Sequence, residues 1–114
     1  YSFGSEAFLL SDYGWYADNS GGQTHPVGTA KPNALGLYDM AGNVWEFCED
    51  WGAPYPSGSI VDPRGPVSRA SDAVGRIGRG GGWNVQASFC RSADRNAVEP
   101  VQPGIDVGFR LVHD

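Results

Sequence analysis

Residues 33–51 read NALGLYDMAGNVWEFCEDW, the most informative stretch of the chain. It combines Trp45 and Trp51, the acids Asp39, Glu46, Glu49 and Asp50, the thiol of Cys48, and glycines at 36 and 42. A core helix would not carry those glycines, because each interior Gly costs about 1 kcal/mol against Ala. A half-buried strand would alternate apolar and polar residues more strictly. The segment therefore reads as a loop that turns tightly, presents oxygen atoms and then starts a short helix. Trp45 and Trp51 are its core anchors, and Glu49 and Asp50 its solvated end.

Working outward, breakers cut the rest of the chain into short pieces: 17 Gly and 8 Pro stand among 114 residues. On the N-terminal side, Ala7–Tyr16 predicts a short helix or two helical turns. Asn19–Gly22 is turn chemistry, and Pro26 and Pro32 keep Gln23–Asn33 extended. On the C-terminal side, Gly52–Asp72 holds four prolines and predicts a long surface loop anchored by Tyr55, Ile60 and Val61. Ala73–Trp83 predicts a strand ending in the turn Gly80-Gly81-Gly82. No Gly-Lys-Ser/Thr follows, so this is not a P-loop; close backbone packing beside a Trp explains the glycines better. Phe89–Asp94 predicts a second strand, Ala97–Asp106 a loop, and Val107–Val112 a closing apolar strand. There is no internal repeat.

Length sets one domain, residues 1–114. The 12% aromatic content excludes a disordered chain. A net charge of -5, a single lysine (Lys31) and scattered arginines argue against nucleic acid and anionic membranes, which call for a basic stripe. No apolar run approaches the roughly 20 residues of a membrane-spanning helix. The two cysteines, 48 and 90, fit either one disulfide or two buried free thiols. With only two His and no Cys-x-x-Cys pair, the ligands for a zinc cage are too few.

Two chemistries compete for residues 39–46. A loop through Asp39, Gly42, Val44 and Glu46 can offer two carboxylates and two backbone carbonyls to one centre. Calcium takes such mixed hard-oxygen sets, and glycine lets carbonyls turn inward. Alternatively, Asn43-x-x-Glu46 is a capping box that opens a helix, with Glu46 serving the Asn43 N–H. Glu46 and Asp50, one helical turn apart, also form a carboxylate pair of the kind used in acid–base catalysis, but nothing else in the sequence points to a hydrolase.

Four blocks then align with one family. Pro32–Trp51 (PNALGLYDMAGNVWEFCEDW), Arg79–Trp83 (RGGGW), Cys90–Arg95 (CRSADR) and Val107–Val112 (VGFRLV), preceded by His25-Pro26-Val27-Gly28, resemble the sulfatase-modifying factor family, that of formylglycine-generating enzymes. The resemblance implies an irregular, loop-rich α+β fold, a variant of the C-type lectin fold with short strands and one or two short helices. It also implies that the chain corresponds to the C-terminal part of the family's usual, longer domain. A family calcium maps onto Asp39 and Glu46 through side chains and onto Gly42 and Val44 through carbonyls, which favours calcium over the cap. A second family calcium uses an acid where this chain has Gly28, so that site is expected to be absent or weakened.

The same alignment counts against catalysis. The family's enzymes use a copper-binding cysteine pair after a Gly-Gly-Ser motif. Here the Ser position is Gly82, the cysteine region holds Val85 and Ala87, and Cys90 belongs to the CRSA motif. A Cu(I) site wants soft thiolates, and a lone Cys90 does not supply two, so copper is not expected. Within the family, the segment Gly80–Arg110 resembles the variable stretch of retroelement-diversified proteins, which closes on Gly-Phe-Arg. Trp83, Asn84, Gln86, Phe89, Asp94, Asn96, Glu99 and Gln102 are its candidate ligand-contacting residues. The sequence thus points to a non-catalytic, calcium-stabilised domain that binds a protein or small ligand. The alternatives are a copper-dependent formylglycine-generating relative and an accessory scaffold domain of a larger enzyme.

Overall fold

The polypeptide is held together by one small sheet and by backbone-to-backbone stitching of its loops. The computed structural model describes residues 1–66, 68–71, 73–101 and 104–112. A 3-10 turn at Ala7–Leu9 runs into a single α-helical turn, α1 (Leu10–Tyr13), as the 7–16 segment predicts. The strands are β1 (Trp45–Trp51), β2 (Arg76–Arg79), β3 (Asn96–Val98) and β4 (Val107–Gly108). Their order in the sheet is β3-β2-β1-β4. β2 is antiparallel to both β1 and β3, whereas β4 runs parallel to β1, with Trp45 opposite Val107. This is the irregular, loop-rich α+β class expected from the sequence.

The helix expected after Asn43 does not form; Trp45–Trp51 is a strand instead. Asn43 sits in the left-handed region at φ 66, outside the backbone range of a helix N-cap. Its side chain is committed elsewhere. Oδ1 accepts the His25 N–H at 2.9 Å and Nδ2 donates to the His25 carbonyl at 3.1 Å. Glu46 likewise turns away from Asn43, as described below. With both halves of the capping box spent on remote partners, the aromatic run Trp45, Phe47, Trp51 follows its strand propensity. A bulge between Phe47 and Trp51 absorbs its imperfect alternation.

Residues 41–43 form the hub. Asn43 N donates to Trp15 O at 2.7 Å, Gly42 N to Gly80 O at 2.7 Å, and Trp83 N to Asn43 O at 2.8 Å. Gly42, at φ 77, passes so close to the Trp15 backbone that a Cβ would collide with it. Gly81, at φ 79, lies over Cys90, where a Cβ would come within 2.6 Å of Sγ. The close packing expected of Gly80–Gly82 is therefore real, but the neighbours are Cys90 and Trp45. Beneath this hub, Leu10, Ala41 and Cys90 are buried, with Tyr1, Phe3, Tyr16, Val85 and Ala87 packed around them. Trp45 and Ile77 are buried on the sheet. Trp51 is half-buried, with Arg76 over its ring at 4.7 Å.

Three further expectations are corrected. Phe89–Asp94 is not a strand: Ala87–Cys90 makes a 3-10 turn, and the strand comes later, at Asn96–Val98. The closing strand shortens to Val107–Gly108, because β1 offers pairing only opposite Trp45 and Glu46; Phe109, Leu111 and Val112 stand exposed beyond it. The Gly52–Asp72 loop carries no strand or helix among its described residues, but Tyr55, Ile60 and Val61 do not anchor it through burial, all three being exposed.

Candidate functional site

The turn that leads into β1 begins at Asn33, whose Oδ1 accepts the N–H groups of Leu35 and Leu37 at 2.9 and 3.0 Å. That turn delivers Asp39 in a left-handed conformation, φ 54, a position Asp tolerates better than most residues. Its Oδ2 accepts the Gly28 N–H at 2.7 Å. Its Oδ1 is buried with no hydrogen-bond partner. An unpartnered buried carboxylate oxygen costs free energy, so a cation or a hydrogen-bond donor at this atom would be stabilising.

The structure brings Asp39, Gly42, Val44 and Glu46 together as the walls of one cavity of about 490 Å³. Opposite them stands Arg110, a residue to which sequence reasoning gave no role. Its Nε donates to Glu46 Oε2 at 2.6 Å and its Nη2 to Glu46 Oε1 at 2.5 Å. The same guanidinium reaches the carbonyls of Asp39, at 3.0 Å, and Tyr38, at 3.2 Å. The hydrogen bonds to Glu46 hold Arg110 charged, raising its pKa above the ordinary value, with Asp39 adding to the effect. The position of Arg110 in the closing Gly-Phe-Arg was the available signal; its pairing with Glu46 was not visible in the spacing.

This donor set is compatible with a hard cation. It contains one orphaned carboxylate oxygen, a second carboxylate, and backbone at Gly42 and Val44 on the same wall. Glu46 is at present occupied by Arg110, so a cation and Arg110 would compete for it. Among the described residues, no three His, Cys, Asp or Glu side chains converge on one point. A cation here would therefore depend on carbonyl oxygen for half its protein ligands. Gly28, the position that the resemblance matches to an acid of a second cation site, uses its N–H to hold Asp39.

The cysteines are both free. Burial pushes the Cys90 thiol from the ordinary 9.0 up to about 11, helped by Asp94. The Cys48 thiol is raised by burial and by Asp50, with Arg79 pulling the other way.

The candidate ligand-contacting residues separate into groups. Asn84 is exposed and donates to Asp106 at 2.9 Å; half-buried Trp83 donates to the Ile105 carbonyl at 3.4 Å. Gln86 and Phe89 are exposed around the 3-10 turn. Asn96 is exposed on the edge strand β3. Asp94 pairs with Arg91 at 3.8 Å and Glu99 with Arg69 at 3.3 Å, so these two carboxylates are engaged. Gln102 lies outside the described residues.

Comparison with known proteins gives this arrangement a context. The family of sulfatase-modifying factor enzyme 1-like domains matches residues 4–114. The formylglycine-generating enzyme of Streptomyces coelicolor is 40% identical over 96 residues, which cover 80% of this chain and 29% of that enzyme. Among solved structures, Treponema denticola variable protein 1 matches with a TM-score of 0.85 and 40% identity, over 96% of this chain and 38% of its own. PvdO from Pseudomonas aeruginosa matches with a TM-score of 0.73 and 31% identity, over 87% of this chain and 38% of its own. The chain spans about a third of the length of these relatives.

Proposed function

Because the chain belongs to the family of sulfatase-modifying factor enzyme 1-like domains, we propose that it is a non-catalytic, calcium-stabilised member that binds a protein or small ligand. The observation that carries the non-catalytic reading is the setting of Cys90. A Cu(I) centre of the kind the resemblance implies needs paired thiolates. Cys90 is 1% exposed and its thiol is held protonated, up to about 11. Cys48 lines a separate cavity, and its thiol is raised as well. Neither is poised to give up a proton at neutral pH, and they are not bonded to each other.

The calcium part of the reading rests on Asp39 Oδ1. Asp39 and Glu46 would supply side-chain oxygens, and Gly42 and Val44 their carbonyls. The ion would supply positive charge that pins the turn onto the start of β1. For recognition, the reading uses Gly80–Arg110, whose exposed Asn84, Gln86, Phe89 and Asn96 offer the amide and aromatic groups that make adaptable contacts. The likeness to a protein called variable protein 1 supports that assignment. The irregular variant of the C-type lectin fold remains the architecture we assign to the whole domain. A crystal grown in calcium and measured for anomalous scattering tests the site: a peak bounded by Asp39 and Glu46 supports it, and a water there overturns it.

The 40% identity to a formylglycine-generating enzyme supports a second reading, a copper-dependent oxidoreductase relative. Titration with Cu(I) separates the two. Uptake that is lost in Cys90→Ser favours the enzyme; no uptake at all favours the binding domain.

A further inference from the structure

A second cavity, of about 770 Å³, opens between β1 and the proline-rich 52–66 loop and shares no lining residue with the Asp39 cavity. In a chain of net charge -5, three of its arginines, Arg64, Arg79 and Arg95, line this one cavity, against a single carboxylate, Asp50. Among the described residues none of the three arginines is in an ion pair with an acid. Arg79 spends Nη1 on the carbonyls of Ser92 and Asp94, at 3.3 and 2.8 Å, and Arg95 donates to the carbonyl of Ala53 at 2.5 Å. These acceptors are neutral, so among the described residues neither guanidinium has a direct acidic partner. They also leave N–H groups unspent, since a guanidinium carries five.

The two guanidiniums converge on Tyr55. Arg95 lies over its ring at 4.1 Å, and Arg79 Nη2 donates to its hydroxyl at 3.4 Å. Arg79, foremost through this hydrogen bond, and Arg95 pull the Tyr55 phenol below its ordinary value. The rest of the wall is apolar: Trp51, Ile60 and prolines 54, 56, 63 and 66. Pockets of this size, mostly apolar with a few convergent polar groups, are the usual form of a small-molecule site.

We infer that this cavity binds an organic anion, an apolar or aromatic body carrying one carboxylate or phosphate head, with the head at Arg79 and Arg95 and the body along the Trp51–proline wall. This goes beyond the binding surface proposed above: of the Gly80–Arg110 segment only Arg95 lines the cavity, and none of the contact residues named for that surface does. It stands whether or not calcium binds at Asp39.

Cys48 lines the cavity and supplies a reporter. Cys90, 1% exposed, does not compete for alkylation. The rate of carboxamidomethylation at Cys48 by iodoacetamide is read by peptide mass spectrometry at pH 8.5. Phenyl phosphate, benzoate, inorganic phosphate and benzyl alcohol are tested as protectants. At about ten times its Kd, a ligand slows the reaction roughly tenfold by occupancy. We expect protection by phenyl phosphate or benzoate, and which of them is stronger identifies the head group. Inorganic phosphate and benzyl alcohol should protect much less. The inference is overturned if neither aryl anion protects, or if benzyl alcohol or inorganic phosphate protects as well as they do. Arg95→Gln should abolish protection. If that variant does not fold, the unmodified protein answers through its preference between reagents. The ratio of iodoacetate to iodoacetamide rates at Cys48 should exceed that of N-acetylcysteine. It should fall to that value near 1 M salt, where the screening length is about 3 Å. A ratio equal to that of N-acetylcysteine at every salt concentration overturns the inference.

Discussion

The competition between Arg110 and a cation for Glu46 makes opposite predictions for two substitutions that a simple ion pair would treat alike. In chelator, Glu46 and Arg110 form a two-pronged pair with side chains 22% and 34% exposed. That places it between a surface pair, about 0–1 kcal/mol, and charge-assisted hydrogen bonds, about 1.5–3 kcal/mol. Removing either partner should therefore cost about 1–2 kcal/mol. For a domain of about 100 residues this lowers Tm by roughly 4–8 °C. Calcium at about 100 times its Kd adds about 2.7 kcal/mol, or roughly 10 °C. On the calcium reading, Glu46→Gln would remove a ligand and should lose most of that gain. Arg110→Gln removes the competitor and should keep it or increase it. The assay is thermal unfolding by circular dichroism of the three proteins, each in EGTA and in a calcium series. Equal melting of the unsubstituted protein with and without calcium would refute the calcium reading. Equal loss of the calcium gain in both variants would refute the competition.

Three further outcomes are expected from thermal and chemical unfolding. Asn43→Ala should destabilise by about 2–4 kcal/mol, since it removes both bonds to the His25 backbone and leaves an ill-suited residue at φ 66. Asn43→Gly, which accepts that φ, should recover part of the loss, and no recovery would count against the strain argument. Gly81→Ala should cost about 2–4 kcal/mol through positive φ and collision with Cys90; combined with Cys90→Ala, the two losses should sum to less than their separate values. Cys90 sets an alkaline limit. Its folded pKa, about 11, lies above the ordinary 9.0, so the folded state holds the proton more tightly. The resulting stability is complete below about pH 9 and is lost as the pH rises toward 11. Cys90→Ala should flatten the fall in Tm across that window, and an unchanged slope would refute the assignment.

Local chemistry in this chain was legible and remote chemistry was not. The Asn33 turn, the helical turn at Ala7–Tyr13, the burial of Trp45 and the tight Gly80–Gly82 passage follow from residue types and their near neighbours. The helix wrongly expected after Asn43 shows the boundary. Asn43 and Glu46 suit a capping box equally well on paper, and what decides against it is His25, 18 positions away, and Arg110, 64 positions away. The closing strand failed for a related reason. VGFRLV has the composition of a strand throughout, but pairing partners exist only for Val107 and Gly108. At the candidate cation site, the spacing and the resemblance named four of the residues that line the cavity, while the guanidinium facing them could be seen only in three dimensions.

The parallel closure of β4 on β1 has a kinetic consequence. Trp45 N donates to the Asp106 carbonyl at 2.7 Å, so the first residues of the β1 edge are satisfied by residues that leave the ribosome long after they do. Chains dominated by such distant pairings fold slowly, because loop-closure entropy is spent before the contact is gained. During synthesis, β1 would wait with an open edge and aromatic side chains until residues 106–110 emerge, a state prone to wrong pairing. The interval between the emergence of β1 and that of residues 106–108 should then influence how much of this protein reaches its native form.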